Sequence, residues 1–435
     1  MKFALAGLVG RWLLLLGPWA VAGLYLLQTQ PVSRAEDNLH AWLVDQISEN
    51  LRHKRFPREI TLPSGEAKPT VYTLEYTVDW DLQHEAERLL ESYKPDYGAL
   101  VVLNAETGKV KAIASFERTP TFNENLAIKA TFPAASVFKM VTAAAAVDRY
   151  RFDPDAEIQF NGGNHTLYKR NVFNDNVNRW TRSVTLREAF ARSLNTAFGR
   201  LAVERLEPQD IRDYALRFGF NRQITGDFKF ESGYTDVPME KSFQLAEIAS
   251  GFNRVTKMSP IQGALMAAAI ARGGEMPMPL IVERIQSEDG EVIGEAVPRV
   301  DHVVLSPEGV ESMKALMRAT VSSGTSRKAF RHLRRDAHFK DLEIGGKTGS
   351  LTGLSPKGRT DWFVGYAIGE NNERLAIGAV TVHVNLWRVK SAVLAQSLVE
   401  KYFRQPLNWQ FGRGSVGDEV SCKSAGCTNG KANDL

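Results

Sequence analysis

The sequence predicts an α/β (α+β) domain in which one mixed, mainly antiparallel sheet of five strands is covered by helices. Three features of the 435-residue chain predict this architecture: an early β-hairpin, a middle region rich in helix signals, and three late strand patterns. Strands that flank a helical region in this way are typical of one sheet covered by helices. Hydrophobic residues make up 43% and charged residues 24%, a balance typical of folded proteins.

The five strands are predicted in two groups. Leu100–Leu103 and Val110–Ile113 flank a turn over Asn104–Gly108, which is the pattern of a β-hairpin. The three late strands are predicted over Glu343–Gly349, Trp362–Ile368 and Leu375–His383.

Helices are predicted from capping signals and composition. Thr185 and Glu188 fit a capping box, and Ser259 and Ser306 each precede a proline, which suits the first helical position. The predicted helices are Asn38–Arg52, an alanine-rich Ser136–Val147, one from Thr185, Ser259 to Gly273, Ser306 to Val321 and Lys390–Phe403.

Changes in composition divide the chain into four segments. Residues 1–28, apolar apart from two basic residues, are predicted to form a membrane anchor, with a signal peptide cleaved at Ala20-Val21-Ala22 as the alternative. Residues 29–70 are predicted as a short helix and a proline-rich linker, 71–405 as the main domain, and 406–435 as a flexible tail. We therefore expect a single-pass protein of the inner (cytoplasmic) membrane whose main domain faces the periplasm or the outside.

Charge and composition argue against several functional classes. Lys+Arg 54 against Asp+Glu 50 gives a net charge of +4, which is too small to indicate nucleic-acid binding. The eight His lack a metal-ligand spacing and two Cys cannot form a Cys-rich zinc module, so no metal site and no cofactor are predicted. Cys422 and Cys427, in the tail, form either a small disulfide loop or two free thiols.

The most informative motif is Ser136-Val137-Phe138-Lys139. On a helix, residues three apart share a face, so the hydroxyl of Ser136 and the amine of Lys139 would meet. A serine hydroxyl becomes a strong nucleophile only when a nearby base takes its proton. A lysine whose pKa is lowered by burial or a neighbouring cation can be that base. By itself the motif also fits an incidental Ser–Lys pair on a surface helix.

Two further motifs support this interpretation. Lys347, Thr348, Gly349 and Ser350 end a predicted strand, where a cation and two hydroxyls suit a substrate carboxylate. Ser193-Leu194-Asn195 lies where one predicted helix gives way to the next.

In this order the three motifs are the set found in β-lactamases and penicillin-binding proteins. Over about residues 71–405 the chain resembles a penicillin-binding protein transpeptidase domain. Further stretches similar to family landmarks are Thr77–Asp79, Gly98–Leu103, Ser193–Phe198, Ser259–Gln262, Ser323–Thr325 and Trp362–Tyr366. The chain departs from the family around the serine, where Ala134-Ala135 and Met140 replace the usual Pro-Gly and Pro.

The resemblance implies a role for each motif residue. Ser136 would attack the terminal D-Ala-D-Ala bond of a peptidoglycan stem peptide, with Lys139 as base, and Ser193 would relay a proton beside Lys347. Asn195 would bind the substrate backbone. Thr348 and Ser350, on either side of Gly349, would bind the terminal carboxylate of a stem peptide or of a β-lactam antibiotic, and the N–H groups of Ser136 and Ser350 would form the oxyanion hole.

The function implied is that of a D,D-transpeptidase that cross-links cell-wall peptides. The alternatives are a D,D-carboxypeptidase or endopeptidase, and a β-lactam sensor or β-lactamase. Between Leu27 and Val71 there is too little sequence for a glycan-polymerising domain, so a separate polymerase is an expected partner.

Two surface features have no assigned role. The basic run of Arg327, Lys328, Arg331, Arg334 and Arg335 is either a solvated face or a contact for anionic lipids or peptidoglycan carboxylates. The polar segment from Asn161 to Arg182 is predicted as a surface loop at the rim of the cleft.

Overall fold

The computed structural model describes residues 34–63, 69–174 and 176–404. The predicted anchor, the tail and its two cysteines therefore lie outside the described residues. In the part of the chain that is described, no helix combines the length and apolar character needed to cross a membrane.

Short strands and helices alternate along the chain. The strands are β1 Glu59–Leu62, β2 Thr70–Tyr76, β3 Tyr97–Asn104, β4 Val110–Glu117, β5 Phe132–Pro133, β6 Glu157–Phe160, β7 Arg182–Thr185, β8 Lys257–Met258, β9 Glu275–Pro277, β10 Val282–Ser287, β11 Val292–Glu295, β12 Val300–Val303, β13 Glu343–Leu354, β14 Lys357–Ile368 and β15 Arg374–His383. The helices are α1 Arg34–Arg52, α2 Trp80–Tyr93, α3 Lys139–Ala144, α4 Lys169–Val172, α5 Leu186–Ala191, α6 Asn195–Arg205, α7 Pro208–Arg217, α8 Phe243–Ala249, α9 Pro260–Ala271, α10 Pro307–Ser322 and α11 Ser391–Arg404.

The centre of the fold is a five-stranded sheet in the order β13-β14-β15-β3-β4. Every neighbouring pair in it is antiparallel, so the predicted five-stranded sheet is confirmed and its mixed character is not seen. Successive residues of β3 face opposite sides: Leu100 and Val102 pack in one apolar cluster with α2 and α11, while Val101 and Leu103 join the larger core around α9. This alternation is the period of two that strands impose.

Helix α9 is buried on all sides between the sheet and the remaining helices. Its sequence is apolar all round, as expected for a helix with no solvent-facing side. A Cβ at Gly378 of β15 would lie 2.0 Å from the carbonyl oxygen of Pro260, so glycine is what lets α9 rest directly on the strand. The predicted caps are present, since Ser259, Ser306 and Thr185 each accept a hydrogen bond from the backbone N–H three residues on.

A second, four-stranded sheet in the order β1-β2-β10-β11 was not predicted. The sequence analysis expected a linker here, and Glu59–Leu62 instead forms β1. Its residues alternate between exposed polar and more buried apolar side chains, and Pro57 and Pro63 lie just outside it, where proline removes no ladder hydrogen bond. Leu43, Ile47 and Leu51 of α1 pack in the same core as the main domain.

The alanine-rich stretch around the first motif is less regular than the single helix predicted for it. Ala135–Phe138 is a 3₁₀ turn, α3 follows, and Ala145–Arg149 is a π-helical turn. Tight and wide turns of this kind within a helix often occur at functional sites.

Candidate active site

The three motifs meet in one cleft between the edge strand β13 and the helices. The cleft has a volume of about 680 Å³ and is lined by all the predicted site residues except the two buried lysines. Its lining residues are Ser136, His165, Ser193, Asn195, Gly251, Phe252, Thr325, Lys328, Ala329, Thr348, Gly349, Ser350, Arg359, Asp361, Trp387, Lys390, Ala392 and Val393.

Ser136 is half-buried at the floor of this cleft, within the 3₁₀ turn. The turn is entered through Ala135, whose φ of 49° lies in the left-handed region. This conformation favours glycine, so the Gly-to-Ala departure from the family places a strained alanine beside the serine. The backbone of Gly251 lies directly behind, since a Cβ there would be 1.9 Å from the Ala135 carbonyl oxygen.

The amine of Lys139 is buried beneath Ser136. Its Nζ lies 2.9 Å from Ser136 Oγ and donates to Asn195 Oδ1 at 2.7 Å and to the Ser250 carbonyl at 2.5 Å. Burial, with the nearby charge of Lys347, lowers the pKa of Lys139 well below its ordinary value. A neutral amine has two N–H groups, and the two carbonyl oxygens use both, so its lone pair is left for the Ser136 hydroxyl.

Lys347 is the second buried amine of the site. It donates to Ser193 Oγ at 3.0 Å and to the Thr348 carbonyl at 2.7 Å. Burial lowers the pKa of Lys347 to about 7. The amine therefore changes charge near neutral pH, in contact with the Ser193 hydroxyl.

The Ser-x-Asn motif forms the turn between α5 and α6. Ser193 has a φ of 58°, which turns the chain so that its hydroxyl and the Asn195 amide both face the two lysines. The Asn195 amide also donates to the His165 carbonyl at 2.8 Å. Asn195 thus holds Lys139 and the loop at the cleft rim, besides the substrate contact expected of it.

Strand β13 brings the third motif against the serine. A Cβ at Gly349 would lie 3.2 Å from the backbone nitrogen of Ser136, so the strand approaches closely because this residue has no side chain. Thr348 Oγ1 lies 2.5 Å from Thr325 Oγ1, and Ser350 Oγ accepts a hydrogen bond from Arg359 Nε at 3.1 Å. Both hydroxyls stand at the mouth of the cleft.

Several cleft residues were not predicted from the sequence. They are His165, Gly251, Phe252, Arg359, Asp361, Trp387 and Lys390, and the carbonyl of Ser250 beneath them. Burial lowers the pKa of His165 and raises the pKa of Asp361 to about 6. The expectation that the loop of Asn161–Arg182 forms a cleft rim agrees with the position of His165, but no local pattern marked these residues. Within the described residues no cluster of His, Cys, Asp or Glu could hold a metal ion.

Chemically, the arrangement is a hydroxyl nucleophile beside an amine that burial keeps neutral. Such a pair can form a covalent acyl intermediate, because the base removes the hydroxyl proton as the oxygen attacks a carbonyl. A second amine and hydroxyl, Lys347 and Ser193, are joined by a hydrogen bond and can pass a proton between them.

Comparison with known proteins indicates the same chemistry, acyl transfer by a serine. Residues 98–402 match the model of the family "Penicillin binding protein transpeptidase domain". Stage V sporulation protein D of Bacillus subtilis is 25% identical over 296 residues, covering 64% of this chain and 44% of the relative. Peptidoglycan D,D-transpeptidase PbpA of Mycobacterium tuberculosis is 25% identical over 325 residues, covering 66% and 61%. The chain thus spans about half the length of the curated relatives that it matches.

Solved structures share the fold. The imipenem acyl-enzyme of penicillin-binding protein A from Mycobacterium tuberculosis superposes with a TM-score of 0.62 at 21% identity, covering 76% of this chain and 79% of that one. Penicillin-binding protein 3 of the same organism, in its apo form, gives 0.63 at 20% identity, covering 79% and 83%. The family match spans well over half of the sequence, and the chain therefore belongs to the penicillin-binding protein transpeptidase family.

Proposed function

We propose that this protein is a serine D,D-transpeptidase that cross-links peptidoglycan stem peptides and is acylated at Ser136 by D-Ala-D-Ala substrates and by β-lactams. The observation that carries the proposal is the buried Lys139 amine, 2.9 Å from Ser136 Oγ and fixed by Asn195 and the Ser250 carbonyl. The family match and relatives named as D,D-transpeptidases support the same reaction.

In the acylation step, Ser136 Oγ attacks the carbonyl of the penultimate D-Ala while its proton passes to Lys139. The N–H groups of Ser136 and Ser350 stabilise the oxyanion, and each such donor is typically worth ~10²–10³ in rate. Lys347 and Ser193, 3.0 Å apart, deliver a proton to the departing amine. Thr348 and Ser350 hold the terminal carboxylate.

The acyl-enzyme then transfers to an amine. The acceptor nitrogen attacks the ester carbonyl, a C–N bond forms and the C–Oγ bond breaks. The proton of the amine passes through Ser193 to Lys347, which gave one up in acylation, and the proton held by Lys139 returns to Ser136 Oγ. Attack by water instead would make the protein a carboxypeptidase or endopeptidase.

For the whole protein we further propose the predicted location and partners. Residues 1–28 would anchor the catalytic domain to the cytoplasmic membrane, facing the periplasm or the outside. It would work on glycan strands made by a separate polymerase. These proposals rest on the apolar N-terminal sequence and on the predicted segments, with residues 29–70 leading into a domain from 71 to 405 and a tail over 406–435.

The test is incubation of the full chain with uncross-linked glycan that bears pentapeptide stems. We expect D-Ala release together with dimeric stem peptides on chromatography, and neither product with Ser136→Ala. D-Ala release without dimers would contradict transfer and assign a carboxypeptidase. β-Lactam acylation with no D-Ala release would contradict peptide chemistry altogether and assign a sensor.

A further inference from the structure

The cleft mouth beside Thr348 and Ser350 carries three exposed cations. Arg359 belongs to β14, Lys390 directly precedes α11, and Lys328 belongs to the basic run. All three line the cleft. Among the residues that the structure describes, none of the three forms an ion pair. The nearby carboxylate, Asp361, is 6% exposed and accepts a hydrogen bond from the Ser391 N–H at 2.7 Å.

Two of these cations are held in place by an aromatic side chain. The Arg359 guanidinium lies 4.1 Å from the centre of the Trp387 ring, and Lys390 Nζ lies 5.3 Å from it. The indole N–H of Trp387 donates to the Val389 carbonyl at 3.0 Å, which fixes the ring. Cation–π contacts of this kind position the charges without neutralising them.

One of the three cations, Arg359, is joined directly to the expected carboxylate site. Arg359 Nε donates to Ser350 Oγ at 3.1 Å, so the guanidinium extends the row of Thr348 and Ser350 toward solvent. A guanidinium, an ammonium and hydroxyls arranged together suit carboxylate binding through charge-assisted hydrogen bonds.

Resting on the proposed function, we propose that Arg359, Lys390 and Lys328 select the acceptor, favouring an amine whose own carbon bears a carboxylate. The leaving group of the acylation step is itself such an amine, with its carboxylate at Thr348 and Ser350. The acceptor must attack the same carbonyl from the side that the leaving amine vacates. A carboxylate next to the acceptor nitrogen therefore meets the same hydroxyls and the adjoining cations, whereas an amine without a carboxylate makes none of these contacts.

The test uses an N-acyl-D-alanyl thioester whose leaving thiol has no carboxylate, so that acylation does not depend on this site. The acyl-enzyme is offered D-alanine or D-alaninamide, and the ratio of the two transfer products is measured. Comparing this ratio between proteins cancels the different basicity of the two amines. We expect the ratio of D-alanine product to D-alaninamide product to fall by about tenfold or more in the double variant Arg359→Gln/Lys390→Gln. This is the scale of a lost charge-assisted contact.

Arg331→Gln is the matched control, because it removes an exposed cation of the same basic run that does not line the cleft. Its ratio should equal that of the wild type. An unchanged ratio in the double variant would overturn the acceptor site alone. A wild type that takes no acyl group from penicillin or the thioester would overturn the proposed function and, with it, this inference.

Discussion

At the scale of single residues, the pair of buried lysines decides what the site can do. An ammonium group removed from water favours its neutral form, and a second cation close by strengthens that preference. Lys139 experiences both effects, and Lys347 is affected chiefly by burial. The lowered pKa keeps the Lys139 amine neutral and therefore able to take a proton, and a pKa of about 7 leaves Lys347 able to carry one near neutral pH.

Replacing Lys347 with methionine should move the pH profile of acylation. The positive charge of Lys347 lowers the pKa of Lys139, so its removal raises that pKa and keeps Lys139 protonated to higher pH. The acidic limb of the acylation rate constant for penicillin should therefore shift to higher pH, whatever the overall loss of rate. Lys401→Met, on the far end of α11, should leave the limb in place. If the acidic limb of the Lys347→Met profile is unchanged or shifts to lower pH, the coupling of the two amines is contradicted.

Ala135 gives a prediction about stability. Left-handed backbone costs a non-glycine residue about 1–2 kcal/mol, and Ala135 has a φ of 49°. Ala135→Gly should therefore raise the free energy of unfolding by about 0.5–1 kcal/mol, allowing for the greater chain entropy of glycine. Ala144→Gly is the contrast, because Ala144 has a φ of −59°, which alanine adopts without strain. This substitution should lower the free energy of unfolding by about 1 kcal/mol. Urea unfolding of the wild type and the two variants measures both changes. An equal loss of unfolding free energy in the two variants would contradict strain at Ala135.

The residues of the motifs could be recognised from the sequence because serine, lysine and asparagine at short spacings carry their own chemistry. Ser250 could not, since it contributes only a backbone carbonyl, which every residue has. Arg359 and Trp387 reach the cleft through strand pairing and a turn that no local pattern encodes.

At the scale of elements, β13 is what joins the third motif to the nucleophile. It lies at the edge of the central sheet, and Thr348, Gly349 and Ser350 on this edge line the cleft. The last two strands were predictable from their nearly continuous apolar runs, which suit strands buried on both faces, and the caps of α5, α9 and α10 from their serines and threonine. The strand β1 was missed because flanking prolines resemble a linker, and the irregular turns around α3 because alanine alone predicts a regular helix.

Gly349→Ala should separate β13 from Ser136. The new methyl group would lie 3.1 Å from the Val137 nitrogen and 3.2 Å from the Ser136 nitrogen, closer than ordinary contact. Misplacement of reacting groups by about 1 Å can cost ~10² in rate, so we expect penicillin acylation to slow by about tenfold to a hundredfold. In Gly294→Ala the methyl group would meet its nearest atom at 3.6 Å, and acylation should be unchanged. Equal rates in both variants would show that the approach of the strand is not needed.

At the scale of the whole molecule, the helix predicted over Asn38–Arg52, in the segment placed ahead of the main domain, is part of the folded core. Leu51 is 2% exposed, and the Asn125 side chain donates to its carbonyl at 3.1 Å. Leu51→Ala should lower the free energy of unfolding by about 2–5 kcal/mol, the usual cost of a cavity at a buried leucine. Leu354→Ala, at a side chain 73% exposed, should change it by less than about 0.5 kcal/mol. A negligible effect at Leu51 would show that this helix does not contribute to the core.

The central claim is that Ser136, activated by Lys139, is the nucleophile of this cleft. Mass spectrometry after brief exposure to penicillin, with peptide mapping of the adduct, tests it most directly. We predict one adduct on the peptide that contains Ser136, none in Ser136→Ala, and acylation about 10²–10⁴-fold slower in Lys139→Ala, the usual contribution of a general base. An equal mass gain in Ser136→Ala, or a near-normal rate in Lys139→Ala, would contradict it.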